Sequence, residues 1–149
     1  MTQRANESKG RDRAKVSILL DTNVFVAAYW ARSSASARLL QACIDGRIEA
    51  HYSPEVKREV LYVLRTIRAR SSYLDYVDCF WAKAREVRGV SAGSVRTSDP
   101  DDQKFLEAAL GGETDFLVTS DEHLLEVGYI GRTEILTPSS ALKSLDNEV

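Results

Sequence analysis

Apolar residues along the chain form short unbroken runs that alternate with helical stripes. Ser17-Ile18-Leu19-Leu20 is a run without alternation, the pattern of a strand buried on both faces. It ends abruptly on Asp21, and Thr22 and Asn23 turn the chain into the next apolar segment. Residues 24–30 enter a first helix. Leu39, Leu40, Cys43 and Ile44 fall on one side of a second, which Gly46 stops. Residues 48–52 read as a second short strand. Ser53-Pro54 then opens a long helix, with Ser as cap and Pro at its first position. Its buried face is Val56, Val60, Val63, Leu64 and Ile67.

Leu74, Val77, Trp81 and Ala84 predict another helix over about 73–87, ended by Gly89. A weak strand or a loop follows over 90–95. Ser98-Asp99-Pro100-Asp101-Asp102 caps a helix carrying Phe105, Leu106, Ala109 and Leu110, closed by Gly111-Gly112. Phe116-Leu117-Val118-Thr119 is a further buried strand, and Ser120-Asp121 ends it as Asp21 ends the first. A short helix over 122–127 follows. Ile135-Leu136 reads as the last strand, and Ser139 as the cap of a final helix to Leu145. There is no internal repeat and no interior linker. Alternating strands and helices predict an α/β fold with a mainly parallel sheet covered on both faces.

Helical phase singles out some acids. Glu59 lies three residues after Val56 and four before Val63, on or beside the buried stripe. Asp102 is three before Phe105 and four before Leu106, so it faces inward, whereas Asp101 is turned away. Glu55, Asp101 and Glu122 are explained by the dipole of a helix start. Asp21 and Asp121 are not so easily explained, because two independent strands end the same way. Ligands bind at the carboxyl ends of parallel strands, and the first turns of the following helices lie at that same edge. Asp21, Glu59, Asp102 and Asp121 can therefore meet in one crevice, with no Lys or Arg evident among them.

Composition narrows the chemistry. A chain of 149 residues suggests one domain. Residues 1–15 hold five Lys/Arg and two Asp/Glu, a local net of 5 − 2 = +3, with little apolar content. They read as a disordered tail, leaving 16–149 as the folded domain. Hydrophobic residues make up 44% and charged residues 28%, a globular mixture. The net charge of −2 supplies no global basic field, so a nucleic-acid partner would need a local patch or metal ions. Arg65, Arg68 and Arg70 are candidates for such a rim. Cys43 and Cys79 read as two buried thiols, neither a disulfide framework nor a zinc pattern. No apolar run approaches the ~20 residues that span a bilayer, and the expected location is cytoplasmic.

Clustered carboxylates repel one another unless they take up protons or a counterion. Oxygen-only ligands suit Mg²⁺ or Mn²⁺, and His51 and His123 are too few and too scattered for zinc. Carboxylate-held ions of this kind serve phosphate-ester hydrolysis. The expected roles are Asp21 as central ligand, Asp102 and Asp121 as further ligands, and Glu59 as a ligand or the group that orients water. Asn23, Thr119 and Ser120 are neutral hydrogen-bonders that would position the carboxylates or the phosphate. His123 reads as an exposed residue at a helix start.

SILLDTNVFV, SPEVKREVLYVL, DPDDQKFLEAAL and DFLVTSDEHLL resemble the PIN-domain family in identity, order and spacing, over about 16–144. They are most similar to its small prokaryotic members that act as toxins of toxin–antitoxin pairs. The resemblance implies a three-layer α/β/α sandwich and a ribonuclease site dependent on Mg²⁺ or Mn²⁺. The family's acids fall on Asp21, Glu59, Asp102 and Asp121, with Asn23 and Thr119 as accessory positions and Asp99 as a fifth acid. His123 stands where many relatives carry a further acid, which leaves the second metal site open. The resemblance also implies homodimers, an RNA substrate and an antitoxin protein that blocks the site. Two other readings compete. One is a catalytically silent binding module of the same fold. The other is a haloacid-dehalogenase-like phosphatase, which would need an acid where this chain has Asn23.

Overall fold

The structure, a computed structural model, describes residues 15–146. The tail read over 1–15 lies, except for Lys15, outside the described residues, as do the last three. Among these residues six strands make one sheet: β1 (Ser17–Leu20), β2 (Glu49–Tyr52), β3 (Arg85–Glu86), β4 (Phe116–Val118), β5 (Tyr129–Ile130) and β6 (Thr133–Leu136). Their order is β3-β2-β1-β4-β6-β5, and only the β5–β6 pair is antiparallel. All four residues of β1 are buried, so helices cover both faces of the sheet at its centre.

Among the described residues seven helices surround the sheet: α1 (Thr22–Trp30), α2 (Ala35–Ile44), α3 (Pro54–Thr66), α4 (Ser71–Lys83), α5 (Gln103–Gly112), α6 (Glu122–Leu125) and α7 (Pro138–Ser144). The expected α/β sandwich around a mainly parallel sheet is the observed architecture. Phe25 of α1 packs edge-on against Phe80 of α4 at 5.1 Å and stacks on Trp81 at 5.5 Å. Each such aromatic pair contributes about 0.5–1.5 kcal/mol beyond its buried area. Among the described residues, no helix is long and apolar enough to cross a membrane.

Several element boundaries differ from the sequence reading, each for a local reason. α4 stops at Lys83, because Arg85 and Glu86 pair with His51 and Tyr52 as an edge strand. Both side chains of that strand are exposed, so no apolar period marks it. Residues 90–95 form a loop, with no strand. The last strand begins at Thr133, and it folds back on β5 through Gly131, whose φ of 58° suits glycine. Thr137, not Ser139, caps α7: its hydroxyl accepts the Ser140 N–H at 3.2 Å, and Pro138 takes the first helical position. Cys43 is buried, as expected, and its thiol is pushed up to about 12 by that burial. Cys79 is exposed, contrary to expectation, because it sits on the outer side of α4.

The glycine pair closes α5 as expected: the helix ends on Gly112, and a left-handed Glu113 (φ 50°, ψ 45°) follows. Gly111 has a second task. A Cβ there would lie 1.8 Å from the Arg88 carbonyl oxygen, so the 85–89 segment packs on α5 only over a bare Cα. Gly111→Ala should therefore lower stability by about 1–3 kcal/mol in urea denaturation. A variant as stable as the parent would contradict that close approach.

Candidate active site

The sheet register sets the geometry. Leu20 of β1 lies opposite Val118 of β4, so the two chains leave the sheet side by side at Asp21 and Thr119. The Asp21 N–H still donates to the Val118 carbonyl at 3.0 Å. Its side chain then caps α1, with Oδ1 accepting the Asn23 N–H at 2.7 Å. Oδ2 accepts the hydroxyl of Thr119. Asp21 is only 4% exposed. Burial raises its pKa above the ordinary carboxylate value, the bonds from Thr119 and Asn23 oppose the rise, and the charges of Asp121 and Glu59 add to it.

Thr119 ties the second strand end to the first. Its fully buried hydroxyl donates to Asp21 and accepts the Asp121 N–H at 2.9 Å. Asp121 in turn caps α6, accepting the His123 N–H at 2.8 Å. The segment before α5 brings the next acids. Asp99 accepts the Asp101 N–H at 3.0 Å and starts a 3-10 turn over Pro100–Asp102. Asp102 then lies beside Asp121, and each acts on the other's proton affinity. The Asp102 carboxyl is pushed up to about 8, chiefly by burial, then by its bond to Asp121 and by the charges of Asp121, Asp99 and Asp21. Asp121 is lowered, first by the hydrogen bond from Asp102. Asp102 Oδ2 is buried and has no hydrogen-bond partner among the described residues.

Glu59 approaches from α3 and differs from the others. Its Oε2 accepts the Thr22 hydroxyl at 2.5 Å, and its Oε1 accepts the Lys104 ammonium at 2.6 Å. Lys104 also donates to the Asp101 carbonyl at 2.5 Å. The expectation that no Lys or Arg stands among the acids is thus corrected by Lys104 of α5. Thr22 was missed as well. Both sit beside recognised acids in sequence, but each makes its contact tens of residues away, which no local period records.

Of the accessory positions, Thr119 is central, Asn23 contributes its backbone N–H, and Ser120 is exposed. His123 is exposed as expected, with Nδ1 and the Ser98 Oγ at 2.5 Å. The site brings the four expected acids within electrostatic reach of Asp21 or Asp102. Among the described residues, no three Asp, Glu, His or Cys side chains are grouped so that they could hold a metal ion as they stand. A cavity of about 690 Å³ lies elsewhere, lined by Tyr29, Trp30, Tyr73 and Tyr76 with Arg32 and Arg70, and no acid lines it. Of the three arginines expected as a basic rim, only Arg70 faces that cavity.

Residues 17–123 match the model of the PIN domain. No curated protein matches the chain. Two solved structures share its fold at low identity. VapBC2 from Rickettsia felis, bound to a DNA fragment from their promoter, is 14% identical with a TM-score of 0.56 and covers 82% of this chain and 98% of its own. PAE2754 from Pyrobaculum aerophilum is 15% identical with a TM-score of 0.57 and covers 89% of this chain and 90% of its own. The matched span contains Asp21, Glu59, Asp99, Asp102 and Asp121 and makes up more than half of the sequence: the chain belongs to the PIN-domain family.

Proposed function

We propose that the protein is a Mg²⁺- or Mn²⁺-dependent ribonuclease that hydrolyses RNA phosphodiesters, and that it acts as the toxin of a toxin–antitoxin pair. One observation carries the reading. Asp21, Asp102 and Asp121 lie in one electrostatic neighbourhood at the carboxyl edge of the sheet, and the buried Asp102 Oδ2 has no donor. PIN domains are in general nucleases that use divalent metal ions, which supports the assignment. The likeness to VapBC2 supports an antitoxin partner. A homodimer is part of the same reading.

The residues fit a hard cation. The candidate ligand atoms are all carboxylate oxygens, and one of them, Asp102 Oδ2, is buried without a hydrogen-bond partner among the described residues. Asp21, Asp102 and Asp121 would hold the ion, with Glu59 at the rim. Such an ion, when bound, polarises phosphoryl oxygens and lowers the pKa of water. The chain does the remainder. Thr119 and the Asn23 N–H fix the Asp21 carboxylate in one rotamer, and the caps of α1 and α6 keep both strand-end acids aimed at the crevice. Asp99, Asn23 and Ser120 border it as accessory groups.

Asp21→Asn and Asp102→Asn, assayed beside the parent on single-stranded RNA with Mn²⁺, should each lose activity by on the order of a hundredfold or more. Equal cleavage by all three would assign the activity to something else. A parent that cleaves no RNA yet binds a protein partner would favour the silent module.

Metal-free stability should also report on the site. The folded pKa of Asp102 is raised to about 8 and that of Asp21 lies above its ordinary value, whereas unfolded Asp titrates near ~3.9. Between those limits the folded chain binds more protons than the unfolded one, so stability falls as pH rises. The metal-free melting temperature should be higher at pH 5.5 than at pH 8.5. Saturating Mn²⁺ should remove most of that fall, because the ion replaces the proton, and at a hundred times its Kd should add about 2.7 kcal/mol. A pH-independent melting temperature that Mn²⁺ leaves unchanged would count against a site here.

A further inference from the structure

Four aromatic rings run in an unbroken row from the end of α1 to the first turns of α4. Trp30 meets Tyr29 edge-on at 4.7 Å, Tyr29 meets Tyr73 at 4.9 Å, and Tyr73 meets Tyr76 at 5.9 Å. The row lines the cavity of about 690 Å³ between α1, α2 and α4, a size common among ligand pockets. Packing does not account for the end of the row, because Trp30 is 68% exposed. The tyrosine hydroxyls are engaged with the protein. Tyr29 accepts the Arg70 N–H at 3.2 Å, Tyr73 donates to the Phe25 carbonyl at 2.6 Å, and Tyr76 donates to Gln41 Oε1 at 2.5 Å. These bonds hold the rings in place and leave apolar surface to line the cavity. Charge there is one-sided. Arg32, Arg38 and Arg70 line it, no Asp or Glu does, and among the described residues none of the three stands in an ion pair. On a chain of net charge −2, this is a local basic patch of the kind a nucleic-acid partner needs.

We propose that this cavity is a subsite for single-stranded RNA, in which a base stacks on Trp30 and the adjoining rings while Arg32, Arg38 and Arg70 hold neighbouring phosphates. The inference rests on the ribonuclease reading and deepens it, by naming where the strand is held away from the cut. Aromatic rings beside guanidinium groups are the chemistry of single-strand binding, and they tolerate any sequence because every base has a stacking face. A duplex keeps its bases stacked on one another, so an unpaired strand is the form that fits. The placement agrees. Asp21 caps α1, and Tyr29 lies eight residues further along the same helix, a rise of roughly 12 Å. α1 is thus a rigid spacer between crevice and cavity, and a few nucleotides of one strand span it. The charge alone would suit an acidic protein segment. The charge together with the row of rings favours RNA, whose phosphates and flat bases match both.

Trp30 is also the reporter, since the other tryptophan, Trp81, is only 6% exposed. The full chain is kept free of metal with EDTA, so that the RNA stays intact, and is titrated with oligoadenylate and oligouridylate hexamers. Both should quench the tryptophan emission. Anisotropy of an end-labelled hexamer should show binding about ten- to a hundredfold weaker in Trp30→Ala. Arg32→Gln and Arg38→Gln should each lower the slope of log affinity against log salt by about 0.7. Circular dichroism verifies folding, and the exposed arginines supply the test if Trp30→Ala does not fold. Hexamers that leave the emission unchanged, or variants that bind them as the parent does, overturn the subsite; cleavage of RNA by the parent with Mn²⁺ would then leave the nuclease standing. A parent that binds the hexamers at Trp30 but cleaves no RNA with Mn²⁺ keeps the subsite and removes the ribonuclease reading. A Trp30→Ala chain that binds the hexamers normally, yet loses a protein partner or sediments as a smaller species, assigns the face to protein contact and overturns the RNA subsite.

Discussion

Negative charge gathered at one edge of a buried sheet is the constraint on which the arrangement depends. β1 and β4 are neighbours, and their register sends Asp21 and Thr119 out of the sheet together. Acids beyond the opposite end of the same strands are handled differently. Asp115, just before β4, pairs with Arg132 at 2.5 Å and accepts both the N–H and the hydroxyl of Ser17. Glu49, at the start of β2, meets His51 at 2.8 Å and Arg85 at 3.4 Å. At the carboxyl edge, among the described residues, only Glu59 has a cation, and Asp102 has a buried oxygen with nothing to accept. A fold kept for stability alone gains nothing by leaving that oxygen unmet, since a buried unsatisfied polar atom costs about 1–3 kcal/mol. Such local conflict is the mark of a functional site.

The cost is partly offset by the acids themselves. Asp21 and Asp121 each cap a helix, a role that contributes about 0.5–2 kcal/mol. Thr119 serves both, as donor to one carboxylate and acceptor for the backbone of the other. The atoms that hold α1 and α6 against the sheet are therefore the atoms that present charge to the crevice. Isosteric amides at these positions keep an oxygen for the cap, so they separate loss of charge from loss of the helix start.

Much of this was legible in the chain. The unbroken run before Asp21 and its echo before Asp121 gave the central strands, and helical phase gave Glu59 and Asp102 their inward direction. Those signals are local, and burial on both faces makes them strong. The elements that escaped are those whose cause is tertiary. β3 exists because β2 has a free edge, and its two exposed residues carry no period. Gly111-Gly112 marks the end of α5 in the sequence, but not the close approach of the Arg88 carbonyl to Gly111. Lys104 follows two acids in sequence and reads as one more solvated charge. Only the packing of α3 on α5 brings its ammonium to Glu59.

That last contact also divides the acids that phase alone treats as equals. The charge of Glu59 still reaches Asp21, but Lys104 counters it where it arises, and Thr22 satisfies its second oxygen. Three helices, α1, α3 and α5, meet at this one carboxylate. Removing it would strand a partly shielded ammonium, so a Glu59 substitution perturbs packing and charge together. Asp102, by contrast, has its proton affinity raised by burial and by the neighbouring Asp121, with no cation among its partners in the described residues. The crevice is thus asymmetric. Its α3–α5 wall is already neutral, and the wall formed by the ends of β1 and β4 and the turn before α5 is where an arriving cation gains most.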